Sequence, residues 1–246
     1  MPELSWMPRA RNSSVPAATL RRLEARTARQ SRRIVKMAAS SPAENPKTLA
    51  ELNRAICAAR PLVPGAKHPV LGEGPVGAAI AFVGEQPGDQ EDLQGRPFVG
   101  PAGQLLNRAM AEAGIDRGRS YLTNAVKHFK FVQRGKRRIH QKPTAGEVRH
   151  YRWWLDKELA LVHPRLIVAL GATAALALVG KSVPIARARG QADFAGRLGY
   201  ITVHPSFLLR MPDARAKRQA FDEFVADLRA IRALAGSLVA RQAFRR

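Results

Sequence analysis

Four short apolar runs, each separated from the next by enough chain for a helix, restrict the fold more than any other feature of this sequence. They are Ala78–Val83, Tyr121–Val126, Arg165–Gly171 and Tyr200–Val203. Runs of this length bounded by Gly and Pro read as strands buried on both faces, and helical connections between them make the strands parallel. Apolar residues recur at helical spacing at Leu49, Leu52 and Ile56, at Leu105, Leu106, Ala109, Met110 and Ala113, and at Ala220, Phe221, Phe224, Leu228 and Ile231. Thr144 and Glu147 form a capping box that opens another helix through Trp153 and Trp154. The pattern predicts a three-layer α/β fold, a central four-stranded parallel sheet flanked by helices. Gln133–Pro143 reads as a cationic loop, and the last helix as Ala214 to about Leu234.

Lys and Arg number 41 against 19 Asp and Glu, a formal charge of +22, which favours a polyanionic partner through phosphate neutralisation. The basic residues form no amphipathic stripe with Trp or Phe, and the longest apolar run, Leu166–Val179, is too short to span a bilayer, so no membrane partner is expected. Cys57 is the only cysteine, which excludes a disulfide framework or a four-thiolate metal site within one chain. No signal-peptide pattern opens at Met1, and a cytoplasmic location is expected. Residues 1–45 read as a basic flexible arm, 46–236 as the folded domain and 237–246 as a basic tail. Gly72-Glu73-Gly74-Pro75-Val76-Gly77 has the spacing of a dinucleotide fingerprint but precedes a strand instead of following one, so it is set aside.

The first run ends in Gly84-Glu85-Gln86-Pro87-Gly88-Asp89, a turn that brings an acid, an amide and backbone N–H groups to the carboxyl end of a strand. In a parallel sheet all such ends share one edge, so Glu85 and Gln86, Asn124 and His204 can line one pocket, with Phe98 and the cationic loop beside it. An amide to read a base edge, a ring to stack on it and positive charge for the backbone suit an extruded nucleobase. On residues alone His140 reads first as an exposed member of a phosphate-binding loop and Phe98 as core, while a structural histidine is the alternative for His204.

Over about residues 48–235 the chain resembles the uracil-DNA glycosylase superfamily, its family-four-like branch and, within that, the UdgX group. The resemblance rests on the Gly84–Asp92 segment, Pro97–Gly103, Thr123–Phe129, Lys136-Arg137-Arg138-Ile139-His140 and His204–Arg210, in the family order. It implies catalytic roles for Glu85, His140 and His204, and uracil binding by Gly84, Gln86, Pro87, Phe98 and Asn124. Asn124 would present donor and acceptor to uracil and reject cytosine; His204 would bond the departing carbonyl. Contacts to DNA would come from Lys136, Arg137, Arg138, Ser206 and Arg210, with Leu208 and Leu209 entering the space the base leaves. In UdgX-like proteins the loop histidine, here His140, bonds to the sugar and leaves a covalent crosslink. The expected partner is uracil-containing DNA, single-stranded by preference, bound by a monomer; a turnover glycosylase and a non-catalytic basic binder are the alternatives. The family usually carries an iron–sulfur cluster, but Arg60 and Tyr151 stand where cysteines would be, so neither a cluster nor another metal cofactor is expected.

Overall fold

The computed structural model describes residues 45–61 and 65–243, with side chains up to residue 238. The arm expected for residues 1–45 falls outside the described residues except for Asn45. The chain opens with helix α1 (Leu49–Ala58), strand β1 (Ile80–Gly84), the short helix α2 (Asp89–Gln94) and helix α3 (Pro101–Glu112). Strand β2 (Tyr121–Asn124) and a hairpin of β3 (Phe131–Arg134) with β4 (Arg137–His140) follow. Then come α4 (Ala145–Val162), β5 (Leu166–Leu170), α5 (Ala172–Val179), α6 (Ile185–Ala188), β6 (Gly190–Asp193), β7 (Leu198–Thr202), α7 (Pro205–Leu208) and α8 (Ala214–Ala243).

The sheet runs β2-β1-β5-β7-β6, with the first four strands parallel and β6 antiparallel at the edge. The expected four-stranded sheet is thus a mixed sheet of five strands. The fifth was missed because Gly190-Gln191-Ala192-Asp193 carries no run of apolar residues. Likewise the cationic segment expected as a loop is largely a β-hairpin. Phe131 pairs with His140 and Arg134 with Arg137, around a turn at Gly135 with φ +56°. The last helix runs on to Ala243, past the end expected near Leu234.

Side chains alternate across the sheet, so its two faces bury different sets. Ala81, Val83, Tyr121, Ile167 and Ala169 face α1, α4 and α5, whereas Ile80, Phe82, Leu122, Leu166 and Val168 face α3 and α8. The same alternation sorts the polar groups at the strand ends. Thr123 follows Tyr121 onto the first face, where a buried ion pair lies. Lys127 Nζ stands 2.5 Å from Glu158 Oε2 and also donates to Thr123 Oγ1 (2.7 Å) and to the carbonyl of Asn124 (3.0 Å). Both ends of that pair are fully buried, and Tyr121 Oη donates to the same carboxylate at 2.9 Å. With every charge partnered, the network fixes the end of β2. No helix among the described residues is long and apolar enough to cross a membrane.

Candidate active site at the carboxyl edge of the sheet

Gly84 ends β1 directly beneath two of the expected site residues. A Cβ there would lie 2.3 Å from Asn124 Oδ1 and 2.7 Å from Phe98 Cζ, so only glycine leaves room for the amide and the ring to meet over the strand end. Phe98 is buried and holds a left-handed backbone, φ +57°. Its loop is tied down by the buried Glu91, whose two oxygens accept from Gly88 N (2.9 Å) and Gly100 N (3.1 Å). Glu91 was quoted as part of the turn motif but assigned no role; its span of nine residues to Gly100 is a tertiary link that spacing does not reveal.

Glu85 and His140 are brought together. His140 Nε2 stands 3.4 Å from Glu85 Oε1, with the imidazole about half exposed. The other carboxylate oxygen, Oε2, accepts a short hydrogen bond from Thr173 Oγ1. Burial draws the His140 pKa down, against the pull of Glu85 upward; Arg210 lowers it further and Glu91 raises it. A neutral imidazole keeps a lone pair on one ring nitrogen, which nucleophilic chemistry requires.

His204 is prepared as a hydrogen-bond donor. The Ser206 backbone N–H donates to His204 Nδ1 at 3.2 Å, so that nitrogen carries no hydrogen and the neutral ring bears its hydrogen on Nε2. Ser206 Oγ lies 2.8 Å from the same Nδ1 and accepts from Arg210 Nη1 at 3.2 Å, which places Ser206 and Arg210 in a chain behind the imidazole. Burial, then the charges of His140 and Arg210, lower the His204 pKa to about 4, so the ring is neutral at pH 7. Gly171 makes room for it: a Cβ at this residue, φ +87°, would come within 2.9 Å of His204 Cβ.

Other expected residues are placed differently. The side-chain amide of Gln86, expected to serve uracil, is engaged by the hairpin. It donates to the carbonyls of Lys130 (3.2 Å) and Gln141 (3.0 Å) and accepts from Lys130 N (3.3 Å), clamping the two strands of the hairpin at their root. Pro87, the next residue, is buried in the turn. Arg138, read as a phosphate contact, is committed internally. It donates to Asp89 Oδ1 at 2.6 Å, to the Asp89 carbonyl at 3.2 Å and to Asp92 Oδ2, and lies over the rings of Phe129 and Phe131 at 5.3 and 5.2 Å. These bonds anchor the hairpin to α2, and they join residues 46 and 49 positions apart, which is why the sequence alone suggested a free cation. Lys136 at the hairpin turn and Arg137 beside it are exposed. In the segment after His204, Leu208 is fully buried in the core, and the exposed apolar tips are Phe207 and Leu209. Leu208 therefore cannot enter a duplex as expected.

Where an iron–sulfur cluster would need ligands, the side chains bond to one another. His128 Nδ1 and Tyr151 Oη are 2.8 Å apart, and the His150 ring packs edge-on against Tyr151 at 5.2 Å. Burial lowers the His128 pKa to about 4. Cys57, the only thiol of the chain, is exposed, and no three His, Cys, Asp or Glu side chains among the described residues group as metal ligands. This donor set does not fit a cluster that requires several thiolates.

A carboxylate beside a neutral imidazole, a second imidazole presenting Nε2–H, and an amide and a ring both set over the Gly84 strand end can together stabilise opposite charges on either side of a breaking bond. Known proteins similar to this chain show its family. The family model described as "Uracil DNA glycosylase superfamily" matches residues 71–229. A type-4 uracil-DNA glycosylase of Thermotoga maritima is 39% identical over 170 residues, covering 68% of this chain and 85% of that protein. Those of Pyrobaculum aerophilum and Archaeoglobus fulgidus are 34% and 33% identical over 173 and 176 residues, covering 84% and 82% of their lengths. With a match that extends over more than half its length and relatives aligned across most of theirs, the chain belongs to the uracil DNA glycosylase superfamily.

Proposed function

We propose that the protein excises uracil from DNA and, in the manner of the UdgX group, bonds the resulting sugar to His140. The carrying observation is the approach of His140 Nε2 to Glu85 Oε1 at 3.4 Å, on a hairpin held at its root by Gln86 and along its length by Arg138. Excision breaks the bond between the sugar C1′ and uracil N1, and the bonding pair leaves with the base. His204, with its hydrogen on Nε2, is suited to donate to the uracil carbonyl that gains this charge. Asn124 supplies the donor and acceptor that match uracil, and Phe98 the stacking face. The carboxylate of Glu85 faces the cationic sugar. A lone pair of the His140 ring then forms the bond to C1′, and the imidazolium so made loses the proton from its other nitrogen, with Glu85 within reach to receive it.

The residues at the positions of a cluster support a protein that works without iron. Exposed Lys136, Arg137 and Arg210 are suited to phosphates, and Phe207 and Leu209 to a base step opened by the extruded nucleotide. In this reading the protein acts as a monomer, with single-stranded DNA as its preferred substrate.

Incubation with a single-stranded oligonucleotide carrying one uracil tests it. The expected result is released uracil and an adduct that survives denaturing electrophoresis, absent with His140→Ala. Free abasic product without adduct would reduce the protein to a turnover glycosylase. Binding without excision would leave a basic nucleic-acid binder. Elemental analysis of the purified protein should find no stoichiometric iron.

A further inference from the structure

Thr173 lies at the carboxyl edge of β5, the strand to which the sequence assigned no site residue. It is 3% exposed, in the first turn of α5, and its hydroxyl donates to Glu85 Oε2. A glutamate carboxylate ends a chain of three torsions, of which the last is broad, so its direction is set by what bonds it. Among the described residues Thr173 holds one oxygen and His140 faces the other. The turn that carries Thr173 is itself fixed from both sides. The Gly171 N–H donates to the Thr202 carbonyl at 2.9 Å, and the Gly171 carbonyl accepts from Ala175 N at 3.0 Å. Because Gly171 also abuts His204, one turn touches both halves of the site.

We propose that Thr173 is a positioning residue for Glu85. Its hydroxyl fixes Oε2 so that Oε1 is presented to His140 and to the sugar, and the carboxylate keeps that aim when DNA displaces water from the edge. A donor on a charged acceptor in a dry setting is among the stronger hydrogen bonds, and misaiming a reacting group by about 1 Å costs on the order of 10²-fold in rate. The inference rests on the glycosylase reading given above.

The test is single-turnover uracil release and adduct formation by Thr173→Val, Thr173→Ala and Thr173→Ser, beside equilibrium binding of the same oligonucleotide. Valine keeps the shape and removes the hydroxyl; alanine guards against misfolding caused by valine. Expected are rates about 10- to 100-fold lower for valine and alanine at unchanged affinity, near-normal rates for serine, and no further loss when Thr173→Val is added to Glu85→Gln. A valine variant within twofold of the parent rate overturns the proposal. So does a serine variant as slow as valine, or losses that add in the double variant. An unmodified protein that releases no uracil would instead defeat the glycosylase reading, so the two failures are distinguishable.

Discussion

Arg138→Ala should detach the β-hairpin from the sheet edge without unfolding the sheet. The guanidinium bonds Asp89 and Asp92, and Asp92 is fully buried, with Lys67 N–H at 3.0 Å as its other donor. Breaking a buried pair from one side costs about 3–5 kcal/mol. Asp89 is 42% exposed and the hairpin lies at the surface, so the low end, about 3 kcal/mol, applies. The variant escapes that cost by letting the hairpin lift and water reach Asp92. The docking equilibrium then shifts by about 10²-fold, and the three hydrogen bonds of Gln86, worth about 1 kcal/mol each, remain at the root. Hydrogen exchange of amides in Phe131–His140 should therefore accelerate about 10²-fold while amides of β1 and β5 keep their protection. Adduct formation should fall at least tenfold, and uracil release, which draws on groups fixed to the sheet, should fall less. Arg138→Lys keeps the charge but not the fork and should recover only part of the loss. Hairpin amides as protected as in the parent protein, or adducts at the parent rate, would refute the anchoring role.

Three further outcomes follow from the geometry. Gly84→Ala puts a methyl against Asn124 Oδ1 and Phe98 Cζ; it should cost about 1–3 kcal/mol in a denaturant melt and slow uracil release on the order of 10²-fold. Lys127→Met strands the buried Glu158 carboxylate and should lower the unfolding free energy by about 3–5 kcal/mol, with much of that regained on adding Glu158→Leu. His128, held at about 4 against its usual 6.5, contributes stability that is complete above pH 6.5 and is lost as the pH falls towards 4, because the unfolded chain takes up the proton first. Urea melts from pH 7 to pH 4.5 should show this as about 1.4 kcal/mol per pH unit, and His128→Gln should remove that share of the slope.

The strand ends were legible because three of the four apolar runs stopped at a polar group, and parallel strands bring such ends to one edge. Glu85, Asn124 and His204 follow from that rule alone, and Phe98 from its Gly- and Pro-punctuated loop. What escaped was whatever depends on a partner far away in sequence. Arg138 looked like one cation among several until Asp89 and Asp92 were placed beneath it. Gln86 offered an amide whose use was open, and the hairpin root claimed it. Thr173 sits in Ala172–Val179, an alanine-rich helix to which the sequence assigned no site residue, although the same edge rule, applied to β5, points to it. The hairpin itself was hidden because polar and charged residues occupy most of its positions, leaving Val132 and Ile139 as the only aliphatic pair across it.

The way the hairpin is held divides it into two parts with different freedoms. Its root, at Lys130 and Gln141, is stapled to the residue next to Glu85, while its far end, Gly135 and Lys136, is exposed. Antiparallel pairing repeats every two residues, so inserting or deleting matched pairs at the far end would leave the Phe131–His140 pairing and the imidazole where they are. Reach and charge toward a nucleic acid are thereby open to redesign by grafting new tips, while the chemistry below stays in register.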